Sequence, residues 1–355
     1  MRLHWSVILI SAALMASLAA MLQPAAINQV KADNELNRLQ AQLAFEPYSV
    51  EAHYRLGLLL AALEPQAALQ HLDAASGAGS AYRADAQLLA RSIRTAQLAG
   101  DPAFSLVSTG RTLALIGEWT LAANALERAV VFAPDYAEAW AYLGEARQQL
   151  GGSGLEALEK ALALDPQSVA ANLFLGLYWQ RQGNYAQADT FLQTAHSLDP
   201  ENHNALIQLG WNSALAGDVL EARSYFEAAR DLAPDDVDSW KALARYSAEF
   251  EIYLDEVGVI TAHRALVMAP QDAEAHALMG RILLLRGDPE GGIAQLELAI
   301  DLDKENTEAW LYLGLAQLVT DKAEAAVKAF EQVIALAPQS SQAELAADLI
   351  RDYGR

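Results

Sequence analysis

The sequence predicts an all-α fold: a right-handed α-solenoid of about eight helix pairs, with an apolar helix at the N-terminus and a capping helix at the C-terminus. The main evidence is an internal period, because Gly110, Gly144, Gly176 and Gly210 follow one another at 34, 32 and 34 residues, and prolines recur in the same phase. The composition favours Ala and Leu over β-branched residues, and these side chains lose little rotamer freedom in a helix.

Charge and cysteine content exclude several functional classes. Asp and Glu number 45 against 24 Lys and Arg, which gives a formal net charge of −21, and such a surface repels the phosphate backbone of nucleic acids. The chain has no cysteine, so disulfides, thiolate metal sites and thiol catalysis are ruled out.

Residues 1–27 are predicted to be a transmembrane anchor or a signal peptide. After Arg2 no Asp, Glu, Lys or Arg occurs up to position 27, and Trp5–Leu22 is close to the minimum length of a membrane-spanning helix. The alternative is export after signal cleavage near Ala19, with Ser17-Leu18-Ala19 as the cleavage site. A buried helix of a soluble protein is less favoured because no polar face interrupts the run. Arg2 favours a cytoplasmic N-terminus, which places the remaining chain on the extracytoplasmic (periplasmic) side.

One stretch shows how the period makes a helix pair. The segment HNALIQLGWNSALAGD, residues 203–218, predicts an amphipathic first helix that ends at Gly217, where a positive φ is needed. Residues 219–232 predict a second helix, which stops before Pro234 because Pro disfavours helix at the residue before it. The small side chains of Gly210 and Ala222 allow the two helices to approach closely.

This pattern resembles the tetratricopeptide repeat (TPR) family, whose unit of about 34 residues carries Trp, Leu-Gly, Ala, an aromatic residue, Ala and Pro in fixed phase. The segments AWAYLGEARQQ from Ala139 and AWLYLGLAQL from Ala309 contain the Trp and Leu-Gly positions. The units begin near Val50, Ala103, Ala137, Val169, His203, Val237, Ala273 and Thr307. The resemblance divides the chain into an anchor or signal (1–27), a linker and half-repeat helix (28–49), a TPR solenoid (50–339) and a C-terminal capping helix (340–355).

Three places depart from the pattern. Residues 76–102, after the first unit, offer one helix without the motif. The boundary at GGSG, Gly151–Gly154, is shorter by two residues. The unit that begins at Val237 has Ala244 in place of the glycine and is two residues longer through SAEFEIYLDEVGVI.

No motif points to catalysis, a metal or a cofactor. The seven histidines form no HExxH or other close ligand pair, and packing is the simpler interpretation for His53, His203 and His276 near the starts of first helices. The glycine-rich SGAG and GGSG follow no predicted strand, which a phosphate-binding loop requires. An acidic group lacks the spacing of a calcium loop and is interpreted as a solvated surface: Glu249, Glu251, Asp255 and Glu256.

The family binds partners in a groove lined by first helices. The resemblance therefore implies that the residue after each Leu-Gly pair, and the residue four before it, face such a groove. In the middle of the chain these positions are apolar, and next to them they are basic. The predicted partner-binding residues are Leu173, Leu177, Ile207, Trp211, Lys241, Arg245 and Arg281. They suit a protein segment with hydrophobic anchors and an acidic group. The alternative is that tightly coiled repeats bury these side chains.

The sequence thus predicts a non-catalytic interaction scaffold or assembly factor at a membrane, with other proteins as partners and no cofactor, nucleic acid or small-molecule substrate. One alternative is an accessory structural subunit of a membrane protein complex. Another is a glycan- or polymer-binding module that stacks sugars on Tyr178, Trp179 and Trp211.

Overall fold

The computed structural model describes residues 34–77 and 79–353, and every regular element within these residues is a helix. The predicted anchor or signal peptide, residues 1–27, lies outside the described residues. Among the helices that the structure describes, none has the length and apolar character needed to cross a membrane.

The helices follow one another in pairs, after a helix α1 over residues 34–45. The first helices of the pairs are α2 (Val50–Leu60), α5 (Pro102–Leu115), α7 (Ala137–Gln149), α9 (Val169–Arg181), α11 (His203–Ala216), α13 (Val237–Glu249), α15 (Ala273–Leu285) and α17 (Thr307–Val319). Each begins within one residue of the start predicted for its unit. The second helices are α3 (Pro65–Ala75), α6 (Trp119–Phe132), α8 (Leu155–Leu164), α10 (Tyr185–Leu198), α12 (Val219–Leu232), α14 (Val259–Met268), α16 (Pro289–Leu302) and α18 (Ala323–Leu336). Helix α4 (Arg83–Ala99) lies between the first two pairs, and α19 (Ser341–Tyr353) follows the last.

The chain divides into two compact units between Phe174 and Leu175, within α9. In the first unit, one buried cluster joins α2, α3, α4, α5 and α6 through side chains such as Leu58, Leu89 and Leu113. The single helix α4 therefore packs against both α3 and α5 within this core. In the second unit, buried Leu, Ile and Ala side chains join α15, α16, α17 and α18 in the same manner.

The glycine of the Leu-Gly pair serves helix packing, as the sequence predicts. A methyl group on Gly210 would lie 3.0 Å from the ring of Phe226, and one on Gly314 would lie 2.4 Å from Cε1 of Phe330. The unit that has Ala244 instead compensates on its second helix, because Ala244 packs in one buried cluster with Ala262. A small residue there makes room for the extra methyl group.

The two irregular boundaries have separate physical causes. At GGSG, a Cβ atom on Gly154 would lie 1.9 Å from the carbonyl oxygen of Gly144, so glycine allows the backbones of α7 and α8 to approach closely. The two extra residues of the long unit are absorbed by left-handed backbone at Glu251 and Tyr253 (φ 54° and 51°) and by a π-helical turn over Leu254–Gly258. The glycine-rich segment GGSG thus serves helix packing, and the acidic segment of the long unit carries the turn that absorbs the extra residues.

Candidate partner-binding surface

The apolar residues of the predicted groove differ in exposure. Leu173, in the first unit, is half-buried in α9. In the second unit Leu177 on α9 and Trp211 on α11 are half-buried, whereas Ile207 is only 7% exposed. Ile207 is therefore a packing residue, and Leu177 and Trp211 are the positions that stay partly accessible.

Each repeat has two predicted groove positions. The earlier one, four residues before the residue that follows Leu-Gly, is mostly buried by packing. This corrects the expectation that both positions of each pair line an open groove. Neighbouring helices cover this side chain in six repeats: Tyr54, Val107, Ala141, Ile207, Ala277 and Leu311 are at most 7% exposed.

Trp211 is anchored from one side by aromatic side chains. Its ring meets the ring of Phe226 edge to face, with centroids 5.0 Å apart and planes at 77°, and Phe226 lies 5.1 Å from the ring of Tyr246. Phe226 and Tyr246 are fully buried, and the Tyr246 hydroxyl donates to the carbonyl of Val219 at 2.5 Å. The indole is thus held in place on a rigid support while part of it stays exposed.

The predicted basic residues are brought together, but each has carboxylate partners. Lys241 Nζ contacts Asp238 Oδ1 at 2.9 Å, Asp272 Oδ2 at 3.0 Å and Glu274 Oε2 at 2.8 Å, and the side chain is 12% exposed. Burial alone would lower the pKa of Lys241, but hydrogen bonds to Glu274 and Asp238 outweigh it and raise the pKa above its ordinary value. Lys241 is therefore a permanently charged centre of this cluster.

The two arginines continue the same network across three first helices. Arg245 contacts Glu274 Oε1 at 2.5 Å and Glu308 Oε2 at 3.3 Å. Arg281 contacts Glu249 Oε2 at 2.6 Å and Glu308 Oε1 at 3.4 Å. The cluster joins α13, α15 and α17 by ion pairs between neighbouring repeats.

The charge balance of this cluster removes the reason for expecting an acidic partner there. Its three cations, Lys241, Arg245 and Arg281, face five carboxylates, those of Asp238, Glu249, Asp272, Glu274 and Glu308. Three positive and five negative charges leave a net charge of −2. The sequence indicated the cations because they stand at predicted groove positions. Their carboxylate partners Asp272, Glu274 and Glu308 come from later repeats, and the pairing is visible only in the fold.

The Arg281 arrangement has a second copy in the first unit. There Arg111 Nη1 donates to Glu138 Oε1 at 2.9 Å, and its Cζ lies 5.0 Å from the centroid of the Tyr142 ring. In the second unit the Cζ of Arg281 lies 4.8 Å from the centroid of the Tyr312 ring.

In both copies the glutamate follows the arginine by 27 residues. We call this arrangement the arginine staple: an arginine directly after the packing glycine of a first helix (Gly110 or Gly280), an acidic residue 27 positions later and an aromatic residue 31 positions later. That spacing is a sequence signal, which the search for single groove positions missed.

The histidine and tryptophan side chains near the starts of first helices hold the turn before them. Trp140 Nε1 donates to the carbonyl of Pro134 at 2.8 Å, and Trp310 Nε1 donates to the carbonyl of Lys304 at 2.9 Å. The same bond across six residues joins Nε2 of His53 to the carbonyl of Pro47 and Nε2 of His276 to that of Pro270. Packing is therefore the role of these two histidines, as the sequence predicts.

Metal-binding chemistry finds no support within residues 34–77 and 79–353, where no group of three or more His, Asp or Glu side chains is placed to hold an ion. The acidic group near the long unit is divided between partners: Glu249 pairs with Arg281 and Asp255 pairs with Arg286.

Comparisons with solved structures show the same fold. The yeast Tom70 structure has a TM-score of 0.58 at 18% identity, over 86% of this chain and 64% of that one. The APC/C hetero-tetramer Cut9-Hcn1 has a TM-score of 0.56 at 18% identity, over 91% and 67%. A tetratricopeptide repeat protein from Parabacteroides merdae has a TM-score of 0.54 at 14% identity, over 71% and 99%. The chain thus spans less than two thirds of the Tom70 chain.

Sequence comparisons agree with the fold. A search of curated proteins finds no significant match. One model of the tetratricopeptide repeat matches residues 152–203 and 280–341, and a second matches residues 180–246. Together with the helix pairs and the Leu-Gly packing described above, these matches identify tetratricopeptide repeats over residues 152–246 and 280–341.

Proposed function

We propose that the chain is a non-catalytic docking scaffold that binds a segment of a partner protein on the surface formed by Leu177 and Trp211. Tetratricopeptide repeats generally mediate protein–protein interactions, and stacked repeats present extended binding surfaces. Ile207, one helical turn before Trp211 on α11, is buried and belongs to the packing of that helix. Leu173 lies in the first unit and stays a prediction from the sequence alone.

The observation that carries the proposal is the state of Trp211. At the equivalent place after Leu-Gly, Arg281 covers its repeat by pairing with Glu308 and lying over Tyr312. Trp211 instead leaves part of a large aromatic ring exposed. Partly exposed apolar side chains on a rigid support are typical of binding anchors, and Trp is among the residues that contribute most to interfaces.

The scaffold would bind with little reorganisation. Trp211 is already held by Phe226, whose ring occupies the space that Gly210 leaves open. A surface that is ordered before binding loses less conformational entropy when the partner arrives. This is the physical advantage of placing the anchor on a helix rather than on a loop.

A photo-crosslinking amino acid at position 211 of the full-length chain tests the proposal. We expect a discrete protein adduct from position 211. The control is position 220, because Leu220 is 66% exposed on the adjacent helix but is not part of the surface. Equal labelling at both positions, or none at 211, would contradict the docking function.

We also propose that residues 1–27 hold the scaffold at a membrane, with the repeats on the extracytoplasmic side. The apolar stretch Trp5–Leu22 supports this proposal. An anchor raises the effective concentration of the docking surface for membrane-bound partners. Sequencing the N-terminus of the mature protein is the test, since a chain that starts after Ala19 would be exported rather than anchored.

A further inference from the structure

We propose that Trp211 and Asp238 bind an arginine side chain of the partner protein, which replaces the arginine that other repeats provide from their own chain. This inference rests on the proposed docking function and specifies the chemistry of its partner. It reverses the charge that the sequence suggests, because a cationic rather than an acidic group would be recognised.

The arginine staple supplies the model for the interaction. Arg281 lies with its Cζ 4.8 Å from the Tyr312 ring and its Nη1 3.4 Å from Glu308 Oε1. Each guanidinium of a staple thus meets two features of the next repeat: an aromatic face and a carboxylate. The same pair of contacts at Arg111 in the first unit makes this a repeated solution of the fold rather than a single event.

The repeat that contains Trp211 has the acceptor of a staple without its arginine. Asp238 follows Trp211 by 27 residues, the separation at which Glu308 follows Arg281. Trp211 occupies the arginine position, so the carboxylate receives no cation from the preceding repeat. Its one cationic partner among the residues that the structure describes is Lys241 on the same helix, and the Asp238 side chain is 73% exposed.

The position that holds a tyrosine in the two staples holds a small residue in this repeat. Tyr142 and Tyr312 follow their arginines by 31 residues, and the residue 31 positions after Trp211 is Ala242. In this repeat the large ring, that of Trp211, therefore stands at the arginine position. The tyrosine position holds only the methyl group of Ala242. A guanidinium from another chain would lie over the indole of Trp211 and pair with Asp238.

Charge complementarity favours a cation as occupant. Lys241, the cation beside Asp238, is 12% exposed and shares three carboxylates, so the exposed charge around it is negative. The whole chain carries a net charge of −21. Arginine fits better than lysine because its planar guanidinium stacks on aromatic rings and pairs with a carboxylate at the same time.

Pairs of synthetic peptides test the inference. An array of random twelve-residue peptides is made twice, with arginine in one copy and the neutral isostere citrulline in the other, and is probed with the labelled full-length chain in detergent. We expect the arginine copies that bind to lose about tenfold in affinity when citrulline replaces arginine. The variants Trp211→Arg, which supplies the arginine in cis, and Asp238→Asn should reduce arginine binding by a similar factor.

The control is Asp235→Asn, which removes the same charge three residues away at an exposed position and should leave binding unchanged. If Trp211→Arg fails to fold, the Asp238 and Asp235 variants still decide the outcome. Peptides that bind equally well with citrulline and to Asp238→Asn would overturn the arginine site while leaving the docking function intact. An array on which no peptide binds the wild-type chain would contradict both.

Discussion

Arg281 and Trp211 occupy the same position of two repeats in the second unit, and they do opposite things. Arg281 ties α15 to α17 through Glu308 and covers the ring of Tyr312. Trp211 leans on Phe226 of its own repeat and leaves Asp238 of the next repeat without an inter-repeat cation. The comparison shows that a repeat position can serve either cohesion or recognition without any change in the helices that carry it.

The largest expected effect is on the free energy of unfolding. It comes from replacing the glycines that precede Arg281 and Trp211, which are Gly280 and Gly210. A methyl group on Gly280 would lie 2.5 Å from Cγ of Leu296 and 3.0 Å from the carbonyl oxygen of Gly292, whereas one on Gly210 would meet only the Phe226 ring, at 3.0 Å. We expect Gly280→Ala to reduce the free energy of unfolding by about 3 kcal/mol and Gly210→Ala by about 1 kcal/mol.

Urea unfolding followed by circular dichroism measures this difference. Gly77→Ala is the control, because no atom lies within 4 Å of the added methyl group. A larger loss for Gly210→Ala than for Gly280→Ala would show that the backbone contact at Gly280 is relieved by helix movement.

The second prediction compares Glu308, which pairs with Arg281, with Asp238, which stands at the equivalent position after Trp211. Glu308 is 23% exposed on its side chain and accepts from both Arg245 and Arg281, so Glu308→Gln removes one of the two carboxylate partners of each guanidinium; Arg245 keeps Glu274 and Arg281 keeps Glu249. We expect a loss of about 2 kcal/mol in the free energy of unfolding. Asp238→Asn should change it by less than about 0.5 kcal/mol, because the Asp238 side chain is exposed and Lys241 keeps Asp272 and Glu274 as partners. Equal effects in urea unfolding would contradict a difference in role.

Acid should weaken the ion-pair network before it affects the Trp211 repeat. Burial opposes the charge of Asp272 and Glu274, but hydrogen bonds and nearby cations outweigh it, so the pKa of each carboxyl lies below its ordinary value of 3.8 or 4.5. A lowered pKa in the folded state means that the stabilisation is complete above the ordinary values and is lost as the pH falls below them.

Hydrogen exchange at pH 7 and below pH 4, corrected for intrinsic rates, measures this loss. We expect α13 and α15 to lose about 1 kcal/mol of protection while α11 and α12 lose less. Uniform loss over all four helices would indicate global unfolding rather than release of the network.

The smallest effect is expected from building a staple where none exists. Trp211→Arg together with Ala242→Tyr recreates the residues of the Arg281 arrangement around Asp238. A double-mutant cycle in urea should give a favourable coupling of about 0.5 kcal/mol between the two substitutions. Leu315→Arg is the matched control for the added charge, because Gln342 stands 27 residues after it and offers no carboxylate. A coupling near zero would mean that the staple depends on features outside these residues.

Much of the fold could be predicted because the repeat is local. Helix α12 spans Val219–Leu232 and buries Ala222, Phe226 and Ala229, as its apolar spacing indicates, and Gly217 ends α11 with φ 95°. The path through the long unit could not be predicted, since an insertion of two residues can be absorbed in several ways. In the observed path, a π-helical turn follows Tyr253, and the Tyr253 ring packs against Arg223, whose Cζ lies 4.7 Å from the ring centroid.

The sequence by itself determined the helix pairs, their starts and the role of the Leu-Gly glycines, because these depend on contacts within one repeat and on turn chemistry that each residue carries with it. Only the tertiary structure decided which side chains remain available for a partner. Arg245 and Arg281 look free along the chain, but carboxylates 27 to 63 residues away neutralise them. Trp211 is half-buried, and the next repeat carries Ala242 where the staples carry a tyrosine. Exposure and charge pairing are properties of neighbouring repeats together, so stacking had to be known before the surface could be described.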